Sequence, residues 1–237
     1  LDRGFHAINS SNSYGSKSHG DFLRSFNLLQ CKELNVLLLQ MAFSLRKLLF
    51  PNQQSITFDI DSTQNEQSGK KMEGVQMNYA GIKGLSTIQI FDEYGLQYWH
   101  DVRPGNAHTA DGALEMIQRI FYNLDTQMKG LTRYIRADSG YCKIGFFHAC
   151  TAKNAQFVVC MRKLMFKPLL SKISNWKSQD PEDPDRVKFV GNRECEIGET
   201  TYSPKKSHKT FRVIILRALK TDAVNKLFLT EEDYDYY

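Results

Sequence analysis

The sequence lacks the patterns that define several protein classes. Its five cysteines, at positions 31, 142, 150, 160 and 195, form no Cys-x-x-Cys pair and no Cys/His cluster with zinc spacing. We therefore expect reduced thiols in a cytoplasmic protein. The most apolar stretch, residues 34–50, is too short to span a bilayer and is interrupted by Arg46 and Lys47. The sequence shows neither a signal-peptide pattern nor an internal repeat.

What is present is an ordinary globular composition with a mild excess of positive charge. The 237 residues are 41% hydrophobic and 24% charged, and the formal net charge is +5. A chain of this length is long enough for one large domain with a real core, or for a main domain with additions. The charge permits a polyanionic partner but does not identify one.

One basic segment lies near the end of the chain. Between positions 205 and 220 the sequence has no acidic residue and the following basic residues: Lys205, Lys206, Lys209, Arg212, Arg217 and Lys220. Such a segment is typical of a solvated strand edge, which lysines protect from aggregation. It is equally typical of a surface that follows DNA phosphates. The segment alone leaves both interpretations open.

Hydrophobic periodicity predicts a mixed α/β protein. Residues 1–50 are predicted to be a helical region that Pro51 ends. Helices are predicted from a cap at Thr109 through 113–128, and at 143–153. Strands are predicted at 56–61, 87–91, 96–102, 131–138, 155–163, 211–219 and 226–230, with a polar loop at 64–74 and a turn at 92–95. Residues 164–209 hold four prolines and no strong period, so we interpret them as an insertion of short strands and long loops.

Two aspartates lie at the ends of two of these predicted strands. Ile56, Phe58 and Ile60 alternate with Thr57, Asp59 and Asp61, and the later strand ends at Asp138. If the two strands are parallel neighbours, Asp61 and Asp138 meet at one edge of the sheet, where open α/β sheets build their sites. A divalent cation such as Mg²⁺ would resolve the repulsion between the carboxylates. The alternative is that both are simple turn residues, because aspartate is common there.

Three motifs, taken in order, resemble those of the DDE transposases of bacterial insertion sequences. They are DIDST at 59–63, DVRPGNAHTADGA at 101–113 and RADSGY at 136–141. The resemblance runs from about Ile56 to the end of the chain. It implies a ribonuclease H-like mixed sheet flanked by helices, with a strand-rich insertion and a helical N-terminal region. It also implies that Asp61 and Asp138 are the first and second catalytic carboxylates and that both bind Mg²⁺ or Mn²⁺.

The resemblance further implies a reaction and its partners. The substrate would be double-stranded DNA at terminal inverted repeats, cleaved to expose a 3′-hydroxyl that then attacks target DNA. The protein would act as a homodimer assembled on DNA. The domains would be a remnant of a DNA-binding part (1–50), the first part of the catalytic domain (51–163), the insertion (164–209) and a return to the catalytic core (210–237).

Other polar residues receive roles in the same scheme. Asp59 is expected either to hold a ligand water beside Asp61 or to face solvent. Arg136 is expected to contact a DNA phosphate or to pair with a neighbouring carboxylate. The remaining predicted phosphate contacts are Lys205, Lys206 and Lys209.

The third acid of the resembled family is not found. That family has a glutamate in the pattern Tyr-x-x-Arg-x-x-x-Glu on a late helix, and the sequence contains no such pattern. Glu231 and Glu232 directly follow a predicted strand and are interpreted as an acidic turn. The missing helix would follow Tyr237. We therefore expect a truncated transposase that by itself binds metal weakly and cleaves poorly.

Two alternative functions remain open at this point. The segment FDIDST also resembles the first motif of haloacid dehalogenase-like phosphatases, in which Asp59 would be the nucleophile and Asp61 the general acid. A polar loop and a hairpin follow it here, whereas those enzymes have a helical crossover. The second alternative is a non-catalytic DNA-binding remnant, which the absent third acid favours.

Overall fold

The structure is a computed structural model that describes residues 21, 25, 27–68, 72–178, 194–205, 207–224, 226 and 228–237. The chain divides into two compact units. The first unit comprises Leu1–Tyr141 and Gly145–Val159, and the second comprises Cys142–Ile144 and Cys160–Tyr237.

The described residues of the first unit build a mixed sheet of six strands. The strands are β1 (Ser55–Glu66), β2 (Gln76–Met77), β3 (Lys83–Asp92), β4 (Gln97–Pro104), β5 (Thr132–Ala137) and β6 (Ala155–Val159). β1 pairs with β3 in antiparallel orientation on one side and with β5 in parallel orientation on the other. β5 pairs with β6 in parallel, and β2 and β4 both pair with β3. The predicted mixed sheet of an α/β fold is confirmed.

β1 has the predicted alternation but extends further than predicted. Ile56, Phe58 and Ile60 are buried, whereas Asp61 on the opposite face is exposed. The predicted end of the strand at position 61 is wrong, because β1 continues to Glu66 and its antiparallel pairing with β3 runs as far as Gly84. The backbone ladder with β3 satisfies the hydrogen-bonding groups of a polar segment whose composition favours a loop.

The predicted hairpin is confirmed as β3 and β4, both longer than predicted. The carboxylate of Asp92 organises the turn by accepting hydrogen bonds from the N–H groups of Tyr94 and Leu96, both at 2.9 Å. Gly95 adopts a φ of 82°, which suits a residue without a Cβ. The turn chemistry of the sequence therefore acts as expected.

Helices pack on this sheet. They are α1 (Leu28–Leu49), α2 (Ala113–Gln127) and α3 (Ile144–Ala152), of which α3 has its first residue in the second unit. α2 buries the apolar face that its periodicity predicted. Its predicted cap at Thr109 is wrong: Gly112 precedes the helix with a φ of 82° and no side-chain cap bond. Among the helices in the described ranges, none is both long enough and apolar enough to cross a membrane.

α1 is one continuous helix within the region predicted to be helical, and Phe50 caps it just before Pro51. Phe43 packs edge-on against Tyr98 of β4, with ring centroids 4.8 Å apart. The fully buried Arg46 forms ion pairs with Asp92 and Glu93 at the hairpin turn. Burial is the largest single influence on the pKa of Glu93 and raises it, but the hydrogen bonds from Arg46 and from the N–H of Thr57, together with the charge of Arg46, outweigh burial and lower the pKa.

The second unit contains an antiparallel sheet in its described residues. Its strands are β7 (Trp176–Ser178), β8 (Cys195–Tyr202), β9 (Phe211–Leu219) and β10 (Tyr234–Tyr236), in the order β10-β9-β8-β7. A short helix α4 (Lys163–Phe166) and a 3₁₀ segment (Lys167–Lys172) precede β7. The buried core is Phe166, Leu169, Leu170, Ile173, Val213 and Ile215.

The end of the chain differs from its prediction. Residues from 210 onward were expected to return to the catalytic core, but β9 pairs with β8 and β10 pairs with β9, all in the second unit. The β8–β9 pairing is local in sequence, and cross-strand ion pairs such as Arg217 with Glu196 match its register. The other domain limits stay predictions.

Candidate active site

The two predicted carboxylates lie side by side where the parallel pairing of β1 with β5 ends. The β1–β5 pairing ends with Ile60 opposite Ala137, so Asp61 and Asp138 are the next residues on the two parallel strands. Both side chains are exposed. Oδ1 of Asp61 accepts a hydrogen bond from the N–H of Ser62 at 2.7 Å, and Oδ1 of Asp138 accepts one from the N–H of Gly140 at 2.8 Å. The structure thus brings together the pair that the sequence predicted.

Tyr141 lies behind this pair and was missed by the sequence reasoning. Its side chain is fully buried, and its hydroxyl has no hydrogen-bond partner of good geometry among the described residues. Burial raises the pKa of Tyr141 most, and the charges of Asp138 and Asp61 act in the same direction. Ser62 and Arg103 act in the opposite direction, but the net shift is upward. The hydroxyl therefore stays protonated close to both carboxylates.

Arg103, in the Arg-Pro-Gly-Asn motif, holds the loop between β4 and α2. Its buried guanidinium donates hydrogen bonds to the carbonyl oxygens of His108, Thr109 and Asp111, at 3.1, 3.1 and 2.6 Å. It also donates to Oγ of Ser86 at 2.8 Å. Sequence reasoning used this motif as the end of a strand and as part of the family resemblance, but gave Arg103 no role. A charged residue followed by Pro-Gly could have indicated a loop held by side-chain bonds to the backbone.

The loop that Arg103 holds touches the turn after Asp138. A Cβ atom at Gly140 would lie 2.5 Å from Cγ2 of Thr109, 2.8 Å from Cβ of Thr109 and 3.0 Å from Oδ1 of Asp138. Only glycine fits at this distance without displacing one of these groups. The Ser-Gly of the motif RADSGY is therefore a close contact beside a carboxylate, in addition to a turn.

Asp59 and Arg136 form an ion pair with each other. They are opposite residues on β1 and β5, and Nε and one terminal nitrogen of Arg136 donate to the two oxygens of Asp59 at 2.6 and 2.5 Å. The hydrogen bond to Asp59 raises the pKa of Arg136. Of the two roles expected for Arg136, the structure shows the carboxylate pair. Its contact with a DNA phosphate, and a water-holding role for Asp59, stay predictions.

The donor set fits a hard divalent cation in part. Two adjacent carboxylates and a buried hydroxyl without a partner are oxygen donors, the type that Mg²⁺ prefers, and Mg²⁺ needs only a few carboxylates because it keeps several waters. Within the described ranges, no group of three or more His, Cys, Asp or Glu side chains is arranged to hold a metal ion. Any cation here would rely on Asp61 and Asp138.

Two arginines in the basic segment of the second unit form ion pairs, which neutralise part of the positive charge that the sequence indicated. Arg212 pairs with Glu199 at 2.6 Å, and Arg217 pairs with Glu196 at 2.7 Å. The guanidinium of Arg217 also lies 4.2 and 4.3 Å from the ring centroids of Trp176 and Tyr234. The side chains of Lys205 and Lys209 are exposed, whereas Lys206 lies outside the described residues. Glu231 and Glu232 lie in a 3₁₀ turn, consistent with their interpretation as an acidic turn.

One protein family matches most of this chain. The model of a family described as "Transposase DDE domain group 1" matches residues 20–230. No curated protein matches the sequence. Three solved structures, all titled as transposase or transpososome structures, are similar over 52–75% of this chain, and the chain covers less than half of each of theirs.

The first is the Mos1 transposase paired-end complex with left transposon end, at 12% identity, 65% of this chain, 47% of the other and a TM-score of 0.30. The second is the piggyBac transposase synaptic complex with hairpin DNA. It is 13% identical, the match covers 75% of this chain and 35% of the other, and the TM-score is 0.32. The third is a pre-cleavage Mos1 transpososome. It is 11% identical, the match covers 52% of this chain and 41% of the other, and the TM-score is 0.27.

Proposed function

We propose a function from the premise that this chain belongs to the family of transposase DDE domains of group 1. The function is that of a transposase of a bacterial insertion sequence. It comprises metal-dependent cleavage of DNA at terminal inverted repeats and transfer of the exposed 3′-hydroxyl to target DNA. The observation that carries the proposal is the placement of Asp61 and Asp138 as the next residues after paired parallel strands.

In this proposal Asp61 and Asp138 hold Mg²⁺ or Mn²⁺. The cation would activate the attacking water or 3′-hydroxyl and stabilise the leaving oxygen of an in-line phosphoryl transfer. The N–H groups of Ser62 and Gly140 each bind one carboxylate oxygen. The second oxygen of each carboxylate has no hydrogen bond to any described residue, so it is free to act as a ligand. Asp61 lies within β1, where it pairs with Gln89 of β3, and Asp138 directly follows β5, so the sheet limits the movement of both backbones.

The DNA partner would be bound through phosphates by Lys205, Lys206, Lys209 and Arg136, and the protein would assemble on DNA as a homodimer. Because the described residues supply two carboxylates at the site, we expect this chain alone to bind the cation weakly and to cleave slowly. The same observation favours a second candidate function, DNA binding without cleavage.

The phosphatase alternative has little support in the structure. Both oxygens of Asp59, its proposed nucleophile, are bound by Arg136. β1 is followed by β2 and the antiparallel β3, where the phosphatase motif would be followed by a helical crossover.

Metal binding and DNA nicking test the proposal together. We expect Asp61→Asn and Asp138→Asn each to lower the affinity for Mn²⁺, measured by electron paramagnetic resonance of the free ion, by about tenfold or more. Each should also abolish Mn²⁺-dependent nicking of supercoiled DNA. Glu115→Gln, an exposed carboxylate on α2, is the matched control and should change neither quantity.

Three other outcomes are informative. Unchanged Mn²⁺ affinity in both aspartate variants would reject the metal site. DNA binding by the unaltered chain without any nicking at saturating Mn²⁺ would support the non-catalytic candidate. If the unaltered chain hydrolyses small phosphate esters and Asp59→Asn abolishes that activity, the result would support the phosphatase alternative.

A further inference from the structure

α1 carries an apolar stripe that no described residue covers. The stripe consists of Leu34, Leu37, Met41, Leu45 and Leu48, which are 46, 51, 54, 43 and 76% exposed. Residues three or four apart share one face of a helix, so these five side chains form one continuous line. A contiguous apolar line of this length on a protein surface marks a binding surface more often than a scatter of single residues does.

The stripe is separate from the face with which α1 packs on its own unit. Leu39, Phe43 and Arg46 are 1, 0 and 0% exposed and form the inner face. At 3.6 residues per turn, the centres of the two faces lie roughly 165° apart around the helix axis. The stripe therefore points away from the sheet, and a partner could approach it without meeting the rest of the unit.

The stripe is symmetric about Met41. Four and seven positions away on either side, the residue is leucine. If two copies of α1 pack antiparallel around a twofold axis at Met41, Leu34 meets the partner's Leu48 and Leu37 meets the partner's Leu45. A patch that complements itself is what a twofold dimer requires.

The flanking charges fit the same arrangement. Glu33 and Lys47 are exposed on the same side of the stripe, and neither forms an ion pair with another described residue. Residues on the same flank face each other across an antiparallel helix pair. With the axis at Met41, Glu33 lies about 3 Å along the helix direction from the partner's Lys47, at 1.5 Å per residue. Two symmetry-related ion pairs would form, one at each end.

We infer that α1 is a dimerisation helix, and that its apolar stripe binds the same stripe of a second copy of this chain in antiparallel orientation around Met41. The surface uses none of the candidate active-site residues. The dimer forms without DNA, because both the apolar stripe and the charge pairs belong to the protein.

Disulfide cross-linking tests the register. In a chain with Cys31→Ser and Cys160→Ser, which removes two exposed cysteines, Met41→Cys should give an oxidised dimer because position 41 faces itself. Leu48→Cys is the matched control and should stay monomeric in denaturing gels. The two cysteines at position 48 of the dimer would lie about 21 Å apart along the helix direction. Mixing the Leu34→Cys chain with the Leu48→Cys chain should restore the cross-link.

Sedimentation tests the surface. We expect the unaltered chain to be dimeric, and Leu45→Arg to weaken association at least tenfold. Leu114→Arg on α2, whose leucine is also 43% exposed, should leave association unchanged. Glu33→Lys should weaken the dimer, and Glu33→Lys combined with Lys47→Glu should restore it. Far-ultraviolet circular dichroism of each variant checks that it is folded.

Two results would overturn the inference. One is a monomer at all concentrations up to about 100 μM. The other is a dimer that neither Leu45→Arg nor charge reversal affects, because that dimer uses another surface.

Discussion

At the scale of single residues, the position of Asp138 depends on a contact with a distant loop. Gly140 donates its N–H to Asp138, and Thr109 packs against Gly140 from the loop that Arg103 holds. A carboxylate that must bind a cation needs its oxygens held in place by neighbouring groups. Arg103, Thr109 and Gly140 therefore act on the site without being ligands.

We predict that Gly140→Ala weakens Mn²⁺ binding, because the added Cβ must displace Thr109 or the Asp138 carboxylate. The free energy of unfolding should fall by about 1–3 kcal/mol for the same steric reason. Adding Thr109→Gly removes both Thr109 side-chain atoms from the clash and should restore most of the Mn²⁺ affinity. The measurement is Mn²⁺ titration by electron paramagnetic resonance, with urea unfolding alongside.

Gly145→Ala is the matched control, since a Cβ there meets no atom within 4 Å. If Gly140→Ala and Gly145→Ala bind Mn²⁺ equally well, the contact does not position Asp138.

At the scale of elements, a short acidic turn holds the last strand of the second unit. Asp233 accepts hydrogen bonds from the N–H of Thr230 at 2.8 Å, from the hydroxyl of Thr230 at 2.9 Å and from Nζ of Lys226 at 2.6 Å. The hydrogen bond from Lys226 contributes most, and together these bonds lower the pKa of Asp233 to about 2. The turn leads directly into β10, which pairs with β9.

This lowered pKa predicts a stability that depends on pH. The pKa of Asp233 is lower in the folded chain than the ordinary value of about 3.9 in an unfolded chain. Its stabilising effect should be complete above about pH 4 and should be lost as the pH falls through about 2. Urea unfolding at pH 2–7 should show the unaltered chain more stable than Asp233→Asn at neutral pH, with the difference shrinking toward pH 2.

Asp222→Asn, in the neighbouring 3₁₀ segment, serves as the control. A difference between the unaltered chain and Asp233→Asn that stays constant down to pH 2 would show that the charge of Asp233 is not responsible.

At the scale of the whole molecule, ion pairs neutralise some of the positively charged side chains and leave others exposed to solvent. The chain has a net charge of +5. In its most basic segment, Arg212 and Arg217 are paired with Glu199 and Glu196, while Lys205 and Lys209 are exposed. Cations that are already paired release fewer counterions when DNA binds, so the two lysines should contribute more to affinity.

The salt dependence of DNA binding checks this distribution. Changing Lys205 and Lys209 together to Ala should reduce the slope of log K against log salt by roughly 1 to 2, since each phosphate contact contributes about 0.9. Arg212→Ala should reduce it less. The measurement is fluorescence anisotropy of labelled duplex DNA over a salt series. An unchanged slope in the double lysine variant would place the DNA elsewhere.

The sequence by itself determined the features that depend on local pattern. Alternation placed Ile56, Phe58 and Ile60 in the core, the turn residues after β3 specified a hairpin, and the period of α2 specified its buried face. These features were predictable because each depends on residues close together in the chain. Asp61 and Asp138 were found for the same reason, although β1 continues beyond Asp61.

Only the tertiary structure decided which distant groups meet. β3 extends β1 beyond its apolar residues, and β8 draws β9 into the second unit. Asp59 forms an ion pair with Arg136 because the register between β1 and β5 places the two residues opposite each other. Glu196 and Glu199 neutralise two arginines, and Thr109 reaches Gly140. Each of these depends on a partner strand or loop whose position no local pattern encodes, because pairing and close packing are settled between segments far apart in sequence.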